Sequence, residues 1–367
     1  MKKRIVAAAA LALASTIVQA AGTPTYNLTA IGDGSGWRIN EAGQVAGWSN
    51  IANKAYLYTP GVGRTLIDPA PFATSSLAYG INNAGEVVGY SQFSGSGGSQ
   101  PFKFSLADGL QPLTLPMTTS PFLPYLRGVS INDHGSVAGD QWYSTAETGP
   151  QMNPSGVNVI DVNNSNLFAG STVNFATGYR TAALWSPTTG LQSVGGIGGN
   201  TSTFMAMNDS GWAVGYGENQ WFVEHAMLYD GSTIIDIGAQ FGALTFSQAY
   251  GVSESGLVVG RFTPGGQYGN GPVHAFAYSS EYGAFDLNGA LAAGQGEGWV
   301  LLSAQDATAD GRIVGWGSLN GTISAFVLTP VSAVPEASTA VQATLGLAMV
   351  MGCALRRGKR RDSKSGN

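Results

Sequence analysis

One nine-residue phrase recurs along this chain of 367 residues, and every copy forces the backbone to reverse. The clearest copies are Ile39-Asn40-Glu41-Ala42-Gly43-Gln44-Val45-Ala46-Gly47 and Ile81-Asn82-Asn83-Ala84-Gly85-Glu86-Val87-Val88-Gly89. Others begin at Ile131, Met207, Val252 and Ala307, and a worn copy begins at Val162. The first turn position is Asn40, Asn82, Asn132, Asn163, Asn208, Ser253 or Thr308, whose side chains can each accept a bond from the backbone two residues on. Three residues later stands Gly43, Gly85, Gly135, Gly211, Gly256 or Gly311, at a position that needs positive φ. The worn copy has Asn166 there, the residue next best suited to that conformation.

Each turn is followed by two adjacent apolar residues, such as Val45-Ala46 or Val258-Val259. Neighbours on a strand point to opposite faces, so this strand is expected to be covered on both sides. A glycine comes next in all seven copies: Gly47, Gly89, Gly139, Gly170, Gly215, Gly260 and Gly315. It reads as a point of close backbone approach. A further strand follows at variable distance, as in Ala55-Tyr56-Leu57-Tyr58, His225-Ala226-Met227-Leu228 and Ala325-Phe326-Val327-Leu328; the third copy shows no clear equivalent. Then comes an Ile-Asp-like strand, as in Thr65-Leu66-Ile67-Asp68 and Ile234-Ile235-Asp236, and the segment before the next turn supplies a fourth.

Four strands per unit is the arithmetic of a propeller blade. The positive-φ positions 43, 85, 135, 166, 211, 256 and 311 are spaced 42, 50, 31, 45, 45 and 55 apart, which brackets the usual repeat lengths. The last unit lacks its Ile-Asp-like strand, while the N-terminus begins with an orphan one, Tyr26 to Gly32. Joining the two would close a ring and remove two sheet edges. The expected fold is therefore all-β: a closed repeat β-propeller over residues 21–331 with about seven four-stranded blades. The alternative is an open β-solenoid of hairpin repeats.

The repeat resembles the HAF repeat of bacterial extracellular proteins, named for a His-Ala-Phe strand. His274-Ala275-Phe276 matches it fully and His225-Ala226-Met227 nearly. The resemblance spans roughly residues 26–328. It implies export and repetition but no particular activity.

Both ends look like address labels. Lys2, Lys3 and Arg4 precede an apolar run from Ile5 to Ala14, and Val18-Gln19-Ala20 supplies small residues at cleavage spacing. That order is a secretory signal peptide over residues 1–20, with the cut expected after Ala20. Near the C-terminus, Val334-Pro335-Glu336 is followed by an apolar stretch, residues 340–355, and then by Arg356, Arg357, Lys359, Arg360 and Arg361. Residues 362–367 form a short polar tail. The apolar stretch is shorter than the ~20 residues of an ordinary span, and terminal arginines can snorkel to extend its reach. Basic residues stay cytoplasmic, which would leave the body outside the membrane. Residues 332–361 resemble the PEP-CTERM sorting signal of Gram-negative bacteria, with Val334, Pro335 and Glu336 on the motif and Ala337 departing from the commoner second proline. The resemblance implies a short transmembrane helix at 340–355 and processing by an exosortase-like enzyme.

Charge is scarce at 11%, and 53 residues are glycine, which suits many turns and few helices. Residues 21–333 hold 20 acidic and 8 basic side chains, a net charge near −12 that repels nucleic acid and anionic lipid. The sole cysteine, Cys353, lies in the apolar tail, so the body has neither a disulfide nor a thiolate site.

Catalytic patterns are missing. His225 and His274 occupy one repeat position, and His134 sits on a solvent-facing turn where other copies carry Ala, Ser or Asp. No Gly-x-Ser-x-Gly elbow, His-Glu-x-x-His pair or Asp-x-Asp-x-Asp-Gly loop occurs. Glu41, Asp133, Asp209 and Glu254 fall at equivalent turns, and Asp68, Asp236 and Asp286 near strand ends, where local backbone chemistry explains them. Aromatics give the best binding signal: Trp48, Tyr90, Trp142, Tyr216 and Trp316 follow the strand after the turn, able either to stack on sugars or to pack between blades. No catalytic, metal or cofactor residue is assigned. The sequence leads to an exported, sorted surface or matrix protein with a non-enzymatic binding or structural role linked to extracellular polysaccharide. Its expected handlers are the Sec translocon, signal peptidase and an exosortase-like enzyme. A secreted glycan-active enzyme or lectin is the alternative.

Overall fold

The computed structural model describes residues 23–95, 98–115, 128–264 and 271–331. The signal peptide, Ala20, the Val334-Pro335-Glu336 motif, the span at 340–355 and the basic cluster from Arg356 to Arg361 lie outside them. Among the described residues no helix is long and apolar enough to cross a membrane. The chain divides into a compact body, Met1–Thr329, and a second unit of which only Pro330 and Val331 are described.

The body is a seven-bladed β-propeller, each blade a four-stranded sheet. Blade 1 runs Ser35–Ile39, Val45–Ser49, Lys54–Thr59 and Gly63–Ile67, each strand paired antiparallel with the next. The phrase found in the sequence is the hairpin joining the first two strands. Asn40 N–H donates to the Gln44 carbonyl and Gly43 N–H to the Asn40 carbonyl, and the glycine holds φ +79°. The worn copy keeps the same backbone, with Asn166 at φ 56°.

Closure of the ring follows the sequence expectation. The orphan strand, Tyr26–Asp33, pairs with Thr322–Pro330 as the outer strand of blade 7, whose other strands are Trp299–Ala307 and Ile313–Leu319. Tyr26 packs in one apolar cluster with Phe326 and Leu328, which excludes the open solenoid. The missing strand of the third copy also exists: Trp142–Thr145 pairs with Val137–Gly139. Only Asp140 and Gln141 separate the two, so the strand had merged with its predecessor in the sequence reading. Trp142 is thus not part of an aromatic ring after the turn strand. It is wholly buried on the third strand, in the register that Tyr56 has in blade 1.

The recurrent glycine shows why the phrase and the His-Ala-Phe strand travel together. Gly47, Gly89, Gly260 and Gly315 lie directly opposite Tyr56, Phe102, Phe276 and Phe326. A Cβ on Gly260 would overlap both the Gln248 carbonyl oxygen and the Phe276 ring. The absent side chain makes room for an aromatic that is fully buried, and burial of such rings is a main stabilising term in each blade.

Candidate functional site

Every innermost strand carries an irregularity at the same place, and the inner strands of blades 5 and 7 carry a second one nearer their starts. The register shifts between Gly36/Arg38, Ala78/Gly80, Gly128/Ser130, Val159/Asp161, Phe204/Ala206, Ala249/Gly251 and Ala304/Asp306. A bulge leaves one residue unpaired and re-aims its side chain. The unpaired residues are Trp37, Tyr79, Val129, Ile160, Met205, Tyr250 and Gln305, and all seven line one cavity of about 290 Å³ in the central channel. Arg38, Arg261, Ser303 and Trp316 complete its wall. The Trp37 and Tyr79 rings lie 5.3 Å apart, and Tyr79 stacks on Tyr90 at 5.9 Å. This cavity opens at the end where the inner strands begin, the end that also carries the loops between second and third strands.

The next residue along each inner strand forms a second tier, and three of the seven are charged: Arg38, Asp161 and Asp306. The Arg38 side chain is 15% exposed and spans the channel floor, 3.7 Å from Asp161 and 3.8 Å from Asp306. Its Nη1 donates to the Tyr250 carbonyl and its Nη2 to the Met205 carbonyl, both at 3.3 Å. Burial opposes its charge, but the two carboxylates prevail and raise its pKa. Asp161 accepts from the Met207 N–H at 2.8 Å, the Val162 N–H at 3.0 Å and the Ser130 hydroxyl. Asp306 accepts from Ile39 N–H at 3.1 Å and Ala307 N–H at 2.9 Å. Desolvation by burial pushes the Asp306 carboxyl up to about 6, with the Asp161 charge adding to it and Arg38 opposing. One cation and two carboxylates thus plug the channel between the aromatic cavity and a polar one.

The polar cavity, about 170 Å³, opens at the hairpin end. Its mouth is a belt in which six of the seven turns contribute a side chain that caps a neighbour's backbone. Asn83 Oδ1 accepts from Glu41 N–H, Asp133 from Asn83, Asn164 from Asp133, Asp209 from Asn164, Glu254 from Asp209, and Glu41 from Ala309, all within 2.7–3.0 Å. The sequence reading placed Glu41, Asp133, Asp209 and Glu254 correctly at turns, but their partners lie in adjacent blades. Burial works to raise the Asp133 carboxyl, yet bonds from Asn83 and Asn164 hold it below the ordinary range. Burial, then the charges of Asp209, Glu41 and Asp133, raises Glu254 despite its backbone bond. Among the described residues no group of three or more His, Cys, Asp or Glu side chains is placed to hold a metal.

Two of the three histidines are structural staples. His225 Nδ1 lies 2.9 Å from Asp236, and its Nε2 lies 3.0 Å from the Asn219 amide. His274 Nδ1 lies 2.6 Å from Asp286, and Lys54 Nζ lies 2.6 Å from Asp68 at the equivalent place in blade 1. Each pair ties the start of a third strand to the end of an outer one, which explains the Asp68, Asp236 and Asp286 positions better than capping alone. His134 is exposed on its turn, as expected.

Of the aromatics singled out in the sequence, only Trp316 reaches the cavity. Trp48, Tyr90 and Tyr216 lie on second strands opposite Ala55, Pro101 and Ala226. The residues that do form the wall, Trp37, Tyr79 and Tyr250, stand three positions before Asn40, Asn82 and Ser253. Aligning the copies on the turn residue would have shown that column.

No protein-family model matches the chain, and no curated protein does. Solved structures do. A streptogramin B lyase superposes with a TM-score of 0.51 at 15% identity, covering 83% of this chain and 98% of that one. A virginiamycin B lyase from Staphylococcus aureus gives 0.52 at 11% identity, with 83% and 100% covered. At such identities the likeness shows a shared propeller fold alone.

Proposed function

We propose that the chain is an exported surface or matrix protein whose propeller binds, and does not transform, a saccharide of the extracellular polymer. The observation that carries this is the aromatic cavity: Trp37, Tyr79, Tyr250 and Trp316 line one concave space with Arg261, Ser303 and Gln305 among them. Flat apolar walls with a few placed polar groups suit a sugar ring, which has an apolar face and a hydroxyl rim. The surroundings support it. The loops at that end, and the linker from blade 1 to blade 2, expose Ile51, Phe72, Phe175, Tyr179, Trp221 and Phe222. Phe72 is 97% exposed and holds φ 68°, an unfavourable backbone state for an aromatic. Export and sorting rest on the two terminal segments as read from the sequence, with Val334, Pro335 and Glu336 as the sorting motif and an exosortase-like enzyme as processing partner.

A glycan-cleaving reading has one observation in its favour, the paired carboxylates Asp161 and Asp306 in the channel with Asp306 raised to about 6. Against it, both carboxylates are taken up by backbone donors and by Arg38. A glycan screen of the full chain separates the readings. Binding that survives Asp306→Asn and weakens about tenfold or more with Trp316→Ala fits a binding module. Product release that stops with Asp306→Asn would make it an enzyme. Deleting residues 334–361 should change the protein's destination, followed by cell fractionation; an unchanged distribution refutes the sorting role.

A further inference from the structure

The aromatic cavity has an unbalanced charge. Its lining includes two arginines, Arg38 and Arg261, and no carboxylate. Arg38 is answered from below by Asp161 and Asp306. Arg261, on the second strand of blade 6 (Val258–Phe262), is held differently. Its Nε and Nη2 donate to the side-chain oxygen of Gln248 at 3.1 and 2.8 Å, and its guanidinium lies 5.5 Å from the Phe246 ring centre and 5.6 Å from that of Tyr250. Gln248 in turn donates its amide to Glu224 at 2.5 Å. Glu224 therefore sits behind Gln248 and outside the cavity lining, where its charge interacts with Arg261 without a direct bond. The arrangement fixes the orientation of Arg261 through a neutral acceptor and leaves Nη1 without a bond among the described residues. A guanidinium is a rigid fork whose free donors match a carboxylate edge, and it loses hydration in an apolar site unless an anion replaces the water. In a body with a net charge near −12, a fixed cation lacking a direct carboxylate partner on an aromatic wall is a local exception.

We infer that the cavity takes an acidic sugar unit, a ring carrying a carboxylate, with Arg261 receiving the carboxylate and the Trp37, Tyr79, Tyr250 and Trp316 rings receiving the sugar. The inference rests on the saccharide-binding reading above. The cavity lies near the small end of ligand sites, which run from roughly 300 to 1,000 Å³, so it holds a chain end or a single protruding unit and not a long buried stretch. Gln305 donates to Ser303 at 2.6 Å, which leaves its amide oxygen to accept from a ring hydroxyl.

The test is calorimetric titration of the full-length chain with oligoglucuronate and oligogalacturonate, and with the same oligomers after reduction of their carboxylates to neutral alcohols. The acidic forms should bind at least about tenfold more tightly than the reduced ones. Arg261→Gln should erase that preference, so that this variant binds acidic and reduced oligomers alike. Gln248→Glu combined with Glu224→Gln keeps the arginine but supplies it with a directly bonded internal anion, and should erase the preference as well, so a folding defect in one variant does not leave the matter open. Equal binding of acidic and reduced oligomers overturns the carboxylate assignment and leaves saccharide binding standing. Binding of neither overturns both. A sulfated neutral-sugar oligomer that binds as tightly as the uronates would overturn the choice of carboxylate in favour of any anion.

Discussion

Gly89 occupies a space that no side chain can share. A Cβ there would overlap the Leu77 carbonyl oxygen and crowd the backbone of Ala78. The obstacle is backbone and not a flexible side-chain tip, so Gly89→Ala should destabilise the protein by on the order of 3 kcal/mol in a denaturant titration. Gly211→Ala is the contrast: its φ is +82° but nothing stands within 4 Å, so only local strain applies, ~1 kcal/mol. The glycine after the turn was readable as a close approach because it recurred beside two buried residues. Its aromatic partner was not, because pairing register lies outside any single strand. At the same scale, Asp306 gives a pH prediction. Its carboxyl is raised from 3.8 to about 6, so the native state holds this proton more tightly than the unfolded chain does. Its contribution to stability is full below the unfolded value and is lost as pH rises through about 6, a change of roughly 3 kcal/mol. Carbon-13 chemical shifts of the Asp306 carboxyl should report that midpoint, and Asp161→Asn should lower it by removing a neighbouring negative charge.

The hairpin turn does more as an element than its local chemistry requires. Asn40, Asn82, Asn132, Asn163 and Asn208 each donate their amide to the carbonyl of the matching residue in the next blade, at 2.8–3.3 Å. Their oxygens meanwhile cap their own turns, as Asn132 does for His134 and Ser136 N–H. The turn capping was legible from residue type. The inter-blade clamp was not, although the two copies with Ser253 and Thr308 have no amide to give. Asn132→Ala should lose both functions and about 2 kcal/mol by thermal or chemical unfolding. Ser253→Asn should instead restore a missing clamp to the Thr308 carbonyl and raise stability by ~0.5–1 kcal/mol, because the turn oxygen that caps Leu257 N–H is preserved. A fall in stability for Ser253→Asn would argue that the carbonyl at Thr308 is not presented as in the other blades.

For the whole molecule, closure depends on the ends of the body meeting. Tyr26–Asp33 contributes the outer strand of blade 7, and Asp33 also anchors blade 1 by accepting from Ser49 at 2.7 Å, Ile51 N–H at 3.0 Å and Arg64 at 3.1 Å. Burial opposes ionisation of Asp33, yet those bonds and the Arg64 charge hold its carboxyl below the ordinary range. Deleting residues 26–33 should expose Thr322–Pro330 as an open edge, replace a single cooperative melt with a broadened one, and increase self-association in size-exclusion chromatography. A monomeric, sharply melting deletion would show that the ring does not need its closing strand.

Turn chemistry, blade count, the closing strand and, outside the third copy, strand number per unit were set by φ preferences, alternation of faces and the need to leave no sheet edge open. These act within a few residues or count copies, so the amino-acid order alone sufficed for them. The cavity was decided only in three dimensions. A bulge in each inner strand turns one side chain per blade inward, and seven residues dispersed between positions 37 and 305 become neighbours because the ring closes. Arg38 meets Asp161 and Asp306, and Arg261 stands over the same cavity, for the same reason. Side chains so far apart in the chain interact only through the radial arrangement of blades, which no local preference encodes.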